Sequence, residues 1–259
     1  MNNLIRNIKD FPQVYELDFK IRSYEIDFRG YLNPVTLFFM LQEAASSHAS
    51  TASADIYDLM KKNKTWMLSR LRVVVNKYPR WKDEIRIFTW PVKVHRLFAI
   101  RDFLITDSTY NVLAKSTSSW LVIDLKRRKP VKVDEYINRM YLKPDFRAIN
   151  QFLDRPDIPV LRYEDSGKGM VKLADIDING HMTSMKYIEK IVDNFDESTK
   201  KENYLKELLI YFKAEALLND QLIFYIAKGV GKDEFFHKIV REKDEKELCV
   251  AKTVWEKLK

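Results

Sequence analysis

Three polar side chains that could take part in catalysis alternate along one short segment of the chain. Asp177, Asn179 and His181 lie two positions apart, just before a predicted helix. In an extended segment this spacing puts all three on the same side. Glu215, near the end of a later predicted strand, is a fourth candidate. Carboxylate and imidazole groups transfer protons, and N–H groups of Gly180 and of the helix start would bind an oxyanion. We therefore predict an acid–base active site.

The segment that carries these residues occurs twice in the sequence. Residues 174–181 match residues 24–31, and the two copies are 150 positions apart. The Asp and Gly of the motif are present in both copies. The first copy has Arg29, Tyr31 and Tyr78 where the second has Asn179, His181 and Glu215. A turn that was only structural would tolerate the polar residues in either copy. We therefore predict a duplicated fold with a single catalytic half.

Each copy is predicted to form a helix followed by an antiparallel meander. In the first copy a strand over 15–24 precedes a helix that begins at Asn33-Pro34, an N-cap followed by proline at the first helical position. Strand-like runs follow over 66–76, 84–94, 97–106 and 112–124. The second copy has a short strand over 170–174 and a helical stripe from Met185 to Phe195. Its strand-like runs cover 205–215, 221–228, 234–241 and 247–255.

This order of elements indicates an α+β class and is typical of a tandem (double) hot-dog fold. In that fold two antiparallel sheets each wrap on a long central helix, and pairing of the sheets covers their edges. We predict an N-terminal hot-dog domain over 1–142 and a C-terminal hot-dog domain with the catalytic residues over 160–259. A proline-containing linker is predicted over 143–159.

Composition and charge exclude several functional classes. With 259 residues, of which 46% are hydrophobic, the chain has ample material for a packed core. Its longest apolar runs are far shorter than the roughly 18 residues that a membrane-spanning helix needs. A single cysteine, Cys249, fits a reducing compartment, so we expect a cytoplasmic protein without disulfides. The net charge of +8 is scattered and no nucleic-acid module is recognisable, so we expect no nucleic-acid partner.

The motifs resemble those of the acyl-acyl carrier protein thioesterases of fatty-acid synthesis in plants and bacteria. The segment 177–188, Asp-Ile-Asn-Gly-His-Met-Thr-Ser-Met-Lys-Tyr-Ile, is close to that family's signature, and 211–215 matches its glutamate-bearing motif. The segments 24–27 and 66–70 are similar to the family's first half. The resemblance extends from about residue 15 to residue 255.

The resemblance implies hydrolysis of the thioester of a fatty acyl-acyl carrier protein, with no metal and no organic cofactor. The implied partners are an acidic acyl carrier protein, which the positive charge would steer, and a fatty acyl chain. A homodimer is left open. The early position of the first motif region favours a bacterial cytosolic protein. Two positions depart from the family pattern, because Thr183 replaces an asparagine and Ala216 replaces a cysteine found in many plant members.

Two catalytic routes are open without a thiol nucleophile. Glu215 or His181 could act as a general base on water, or Asp177 could attack the thioester and form a mixed anhydride. We favour the water route, with Glu215 as base, His181 sharing the proton and Asn179 aligning the substrate or water. Asp177 would then hold the local network together. The acyl chain would lie in an apolar tunnel, for which the first-half helix offers Leu37, Phe38 and Leu41.

Three other functions compete with this hypothesis. A thioesterase acting on coenzyme A esters would have the same fold and residues. A hot-dog hydratase also uses Asp and His, but its motif places His five residues after Asp with Asn-Pro between them. Here His181 follows Asp177 by four positions and no Pro occurs, which makes hydration a weaker alternative. A non-enzymatic acyl-binding module fits the apolar helices, yet does not explain why the polar residues collect in one half.

Overall fold

The computed structural model describes residues 5, 6, 8, 11, 14–133, 146–150, 159, 161–195, 197–231 and 233–258. The chain divides into two compact units. Unit 1 comprises Met1–Ser69 and Val73–Leu153, and unit 2 comprises Arg70–Arg72 and Asp154–Lys259. Most of the predicted linker, residues 143–145, 151–158, lies outside the described residues, and the predicted domain bounds remain a prediction.

Unit 1 is an antiparallel sheet packed on one long helix. Its strands pair in the order β1-β3-β4-β5-β2, with β6 on β5, and α1 contacts β1 and β3. The elements are β1 Tyr15–Lys20, α1 Pro34–Thr51, α2 Ile56–Met60, β2 Lys64–Val75, β3 Glu84–His95, β4 Phe98–Asp107, β5 Val112–Asp124 and β6 Lys129–Val131. The predicted helix start is confirmed, because the Asn33 side chain accepts a hydrogen bond from the Val35 N–H at 2.9 Å.

A cluster of buried apolar residues in unit 1 includes part of the segment 146–150, which falls within the predicted linker. Phe146 packs against Trp90, with ring centroids 5.3 Å apart, and Ala148 is buried beside it. Arg147 forms an ion pair with Asp102, whose side chain is fully buried on β4. This part of the predicted linker is therefore anchored to unit 1.

Unit 2 repeats the architecture with shorter helices. Its strands pair in the order β8-β11-β10-β9-β7. The elements are β7 Glu164–Met170, α3 Ser184–Asp193, α4 Glu197–Glu202, β8 Asn203–Phe212, β9 Gln221–Lys228, β10 Glu234–Arg241 and β11 Lys246–Lys257. The helix ends at Asp193, so Phe195 is not part of its stripe. Phe195 instead packs against Trp255 of β11.

Two strand predictions in unit 2 were wrong. The strand expected over 170–174 lies earlier, because the Asp175 carboxylate accepts the Lys172 N–H and closes a 3-10 turn over Leu173–Asp175. The strand expected to reach Glu215 ends at Phe212. Beyond it, the N–H groups of residues 213 and 214 both donate to the Leu248 carbonyl. Glu215 therefore lies in a loop rather than on the sheet.

None of the helices within the described ranges is long and apolar enough to cross a membrane.

Candidate active site

The segment 177–181 is a tight turn and not an extended strand. The Asp177 carboxylate accepts the N–H groups of Asn179 at 2.8 Å and of His181 at 3.3 Å. The Gly180 N–H donates to the Asp177 carbonyl at 2.9 Å, and Gly180 has φ of +78°. The prediction of an extended segment was therefore wrong. The Gly180 N–H was also a wrong candidate for an oxyanion donor, because the turn already uses it.

The first copy folds into the same turn. The Asp27 carboxylate accepts the N–H groups of Arg29 at 2.9 Å and of Tyr31 at 3.3 Å, and Gly30 donates to the Asp27 carbonyl. The Arg29 side chain then folds back onto the same carboxylate. The Tyr31 hydroxyl accepts a hydrogen bond from Arg80 at 2.7 Å. The Asp of the motif thus has a turn-forming role that is independent of catalysis.

A backbone hydrogen bond joins each turn to the loop that follows the neighbouring strand. In unit 2 the Met182 N–H donates to the Ala216 carbonyl at 2.9 Å, and in unit 1 the Leu32 N–H donates to the Pro79 carbonyl at 2.8 Å. The residue before each acceptor is Glu215 in one copy and Tyr78 in the other. This bond brings the Glu215 loop up to the His181 turn.

His181 and Glu215 form the central contact of the site. The His181 Nε2 atom lies 3.3 Å from the Glu215 Oε2 atom. The His181 side chain is 12% exposed and the Glu215 side chain is 35% exposed. The carboxylate is therefore accessible to solvent, whereas the imidazole is mostly buried. The Asn179 amide lies 3.5 Å from the Asp177 carboxylate. The Asp177 carboxylate therefore stabilises the turn through its hydrogen bonds. The His181–Glu215 pair is the part of the site that can accept and donate a proton.

The start of α3 offers N–H groups to a developing negative charge. In the first copy the Asn33 side chain caps α1, whereas Thr183 at the equivalent position makes no side-chain capping bond. The first N–H groups of a helix point outward and favour an anion. The first turn of α3, which the sequence also predicted as part of the oxyanion site, therefore stays a prediction, and Gly180 does not.

Tyr187 is a buried residue of the site whose role the sequence did not reveal. Its hydroxyl accepts the Ala216 N–H at 2.9 Å, one residue after Glu215. Burial raises the pKa of the Tyr187 hydroxyl, so it stays protonated. The Lys-Tyr-Ile end of the signature was a signal for this residue, but only the folded chain shows that it holds the Glu215 loop.

We expect Tyr187→Phe to destabilise unit 2 by about 1–3 kcal/mol, because the buried Ala216 N–H loses its acceptor. The loop would relax and kcat would fall by roughly tenfold, which corresponds to about 1.4 kcal/mol. Urea unfolding and steady-state kinetics check the two effects. Tyr225→Phe on β9 is the matched control, and an equal loss of kcat in that variant would contradict a specific role for Tyr187.

A charged cluster holds the Glu215 loop from its other side. Arg241 donates to the Glu215 carbonyl at 3.0 Å and pairs with Asp244. The Asp244 carboxylate raises the pKa of the Arg241 guanidinium. Asp220 is buried, which opposes ionisation, yet the Lys243 ammonium and the Leu217 N–H hold the pKa of its carboxyl below the usual range. These residues position the loop through its backbone.

The stability contributed by Asp220 is expected to depend on pH. Its folded pKa lies below the unfolded value of about 3.9, so the contribution is present above that pH and is lost as pH falls through the folded pKa. Asp220→Asn should therefore cost about 1–3 kcal/mol of unfolding free energy near neutral pH. The difference from the unmodified protein should shrink as the pH falls below about 3.9, as urea titrations at several pH values would measure. A pH-independent difference would contradict this linkage.

Among the described residues, no group of three or more His, Cys, Asp or Glu side chains is arranged to hold a metal ion. Cys249, the single cysteine, is buried on β11, and burial raises the pKa of its thiol.

Comparison with known proteins identifies matches to both halves of the chain. The family model of the acyl-ACP thioesterase N-terminal domain matches residues 12–141, and that of the acyl-ACP thioesterase C-terminal domain matches residues 163–257. A chloroplastic acyl-[acyl-carrier-protein] hydrolase of Cuphea viscosissima is 26% identical over 93% of this chain. A chloroplastic palmitoyl-acyl carrier protein thioesterase of Gossypium hirsutum is 29% identical over 78% of it. The chain spans 62% and 52% of the lengths of these two relatives.

Solved structures match over nearly the whole chain. An acyl-ACP thioesterase from Bacteroides thetaiotaomicron superposes with a TM-score of 0.85 and 27% identity, covering 94% of this chain and 98% of that one. A 12:0-ACP thioesterase from Umbellularia californica has a TM-score of 0.82 at 19% identity, covering 96% of this chain and 99% of that one. These similarities confirm the predicted α+β tandem hot-dog fold.

Proposed function

This chain belongs to the acyl-ACP thioesterase family, and on that premise we propose that it hydrolyses fatty acyl-acyl carrier protein and releases a free fatty acid. The observation that supports this most directly is the contact of 3.3 Å between His181 and Glu215. The pair occurs in one half only, because Tyr31 and Tyr78 occupy the equivalent positions of the first copy. A pair of groups able to move a proton beside a helix start is what thioester hydrolysis requires.

In the proposed reaction the Glu215–His181 pair accepts a proton from a water molecule. The water oxygen bonds to the thioester carbonyl carbon, and the carbonyl oxygen becomes an oxyanion at the first turn of α3. The intermediate then collapses, the carbon–sulfur bond breaks, and the carrier thiolate leaves and takes a proton from the pair. The products are a fatty acid and the free thiol of the carrier. A general base typically supplies about 10²–10⁴-fold of rate and one oxyanion donor about 10²–10³-fold.

The contacts of Asp177 favour the water route over a mixed anhydride. Two backbone N–H groups bind one oxygen of its carboxylate, which lowers its capacity as a nucleophile. Asp27 makes the same two bonds in the copy without the catalytic pair. We therefore assign Asp177 as a positioning residue and Asn179 as the residue that aligns water or substrate.

The two copies provide a matched test of that assignment. We expect Asp177→Ala and Asp27→Ala each to destabilise the chain by about 1–2 kcal/mol, since each removes the acceptor that closes its turn. Only Asp177→Ala should also lower kcat, by about tenfold or more, because only that turn carries His181. Urea unfolding and hydrolysis assays separate the two effects. Trapping of an acyl group on Asp177 would instead support the anhydride route.

The first unit is proposed to bind the acyl chain. Leu37, Phe38 and Leu41 are buried in unit 1. Residues that line an acyl-chain tunnel and ordinary core residues are both expected to be buried in this way. A cytoplasmic and bacterial setting is likewise a proposal. It is supported by the single cysteine and by the similarity to the Bacteroides protein along nearly its whole length.

A hydrolysis assay with a series of acyl-carrier-protein thioesters and the matching coenzyme A esters tests the function. We expect kcat/KM at least tenfold higher for the carrier esters, with a chain-length optimum. Higher kcat/KM for the coenzyme A esters would identify an acyl-CoA thioesterase that uses the same site. The absence of hydrolysis in both series, together with acyl-chain binding, would identify a binding module.

A further inference from the structure

Exposed apolar side chains in unit 2 are concentrated around the His181–Glu215 pair. Large apolar residues belong in the core, so a group of them on the surface marks an interaction site. Val230 lies apart from this group, on the loop between β9 and β10. We define the apolar rim by its members, each of which is at least 40% exposed: Met170, Leu173, Ile178, Leu217 and Leu218.

Backbone hydrogen bonds hold the segments of the apolar rim together. The Val171 N–H donates to the Asp220 carbonyl and the Asn219 N–H to the Val171 carbonyl, both at 3.0 Å. These bonds join the end of β7 to the loop of Leu217 and Leu218. Ile178 lies within the same turn as His181, which is tied to that loop through residues 182 and 216. These bonds therefore hold the segments that carry the apolar rim next to the turn of His181 and the loop of Glu215.

Two exposed aromatic residues occupy equivalent positions in the first copy, Phe28 at 67% and Trp81 at 50%, and each lies beside a cation. Arg29 lies over the ring of Phe28 at 5.6 Å, and Lys82 lies over the ring of Trp81 at 4.4 Å. Phe28 and Trp81 correspond to Ile178 and Leu218 in the sequence repeat. Aliphatic side chains cannot make cation–π contacts. Ile178 and Leu218 therefore differ from Phe28 and Trp81 in the contacts open to them and not in exposure.

The distribution of charge favours apolar over ionic contact at this surface. Residues 1–159 contain 27 Lys and Arg against 18 Asp and Glu, whereas residues 160–259 contain 18 against 19. The positive excess thus resides in the first part of the chain. Near the apolar rim, exposed Lys172 precedes Leu173, and Lys243, 62% exposed, binds Asp220. An apolar surface beside the exposed Lys172 fits a partner that presents apolar side chains next to a carboxylate, whereas the Lys243 ammonium is already bound to Asp220.

We propose that the apolar rim is the surface on which the acyl carrier protein docks. The inference rests on the proposed function, since the thioester reaches Glu215 only when its carrier lies close to the loop and turn that hold the pair. The basic residues of the first part of the chain would act at longer range and raise the association rate. Burial of the apolar rim would supply affinity that salt does not screen.

Binding of the carrier to the hydrolysis-deficient Glu215→Gln protein tests this docking surface without relying on turnover. In that background we expect Leu218→Asp and Ile178→Asp each to raise the Kd of an acyl-loaded carrier at least tenfold, by fluorescence anisotropy. A tenfold change in Kd corresponds to about 1.4 kcal/mol. Val230→Asp introduces the same charge at an exposed site outside the apolar rim, and Trp81→Ser alters the equivalent position of the first copy. Both controls should change Kd less than twofold.

The outcomes separate this inference from the proposed function. Unchanged Kd in both rim variants, with unfolding midpoints like that of the parent, would overturn the docking surface even if acyl-carrier esters are hydrolysed. A dimer of the unmodified protein that Leu218→Asp dissociates would also overturn it, by assigning the apolar rim to a second copy. Carrier binding that is lost in the rim variants, but without hydrolysis by the unmodified protein, would support docking and contradict the enzyme assignment.

Discussion

Glu215→Gln is expected to lower kcat for acyl-carrier thioester hydrolysis by about 10²–10⁴-fold, the range that a general base supplies. The amide keeps the size of the side chain and can still contact His181, but it cannot take a proton from water. KM should change little, because the carboxylate acts on water and not on the acyl chain or the carrier. Single-turnover kinetics with an acyl-loaded carrier would measure the chemical step directly.

The control for this variant is Glu247→Gln, which removes another carboxylate near the same loop. Glu247 pairs with Lys213, two residues before Glu215. It should retain kcat within about twofold. A Glu215→Gln protein with near-normal turnover would exclude Glu215 as the base. His181→Ala with a larger loss than Glu215→Gln would instead assign the base to the imidazole.

The repeat in the sequence predicted that the same turn occurs in both units, but the sequence did not predict the local geometry of that turn correctly. The Asn33-Pro34 start fixes local structure through a short-range bond, so the beginning of α1 could be read from the chain. The alternation of Asp177, Asn179 and His181 could be read as a strand because the turn depends on a side-chain-to-backbone bond. Residue types alone do not distinguish these two conformations.

Residues that act through tertiary contacts could not be found from the sequence. Arg241 reaches the Glu215 carbonyl from the end of β10, and Tyr187 reaches the Ala216 N–H from α3. Neither spacing is periodic, and although the signature includes Tyr187, it does not indicate which group that residue contacts. The fold determines both contacts, because the loop after β8 must lie between the helix and the end of β10.

The same limitation applies to the buried ion pair of unit 1. Asp102 follows Arg101 on a strand that otherwise reads as apolar, and Arg147 is 45 positions further along in a segment predicted as linker. In the folded chain the Asp102 carboxylate is fully buried and accepts two bonds from Arg147, at 2.7 Å and 3.1 Å. It also accepts the Ala148 N–H at 2.8 Å. A charge without solvent must be paired, so this contact anchors the segment 146–150.

Arg147→Met is therefore expected to destabilise the chain by about 3–5 kcal/mol, since it leaves the Asp102 carboxylate buried without its counter-ion. The loss should appear as a lower urea midpoint monitored by tryptophan fluorescence, because Trp90 packs against the neighbouring Phe146. The double variant Asp102→Asn/Arg147→Met should recover most of that loss, since an amide still accepts the Ala148 N–H and carries no charge. If the single and double variants unfold at the same midpoint, the loss comes from the arginine's packing and not from the unpaired charge. Recovery in the double variant would show that the loss in Arg147→Met comes from the unpaired buried carboxylate, and that the remaining contacts of the segment 146–150 hold it on unit 1 once that charge is removed.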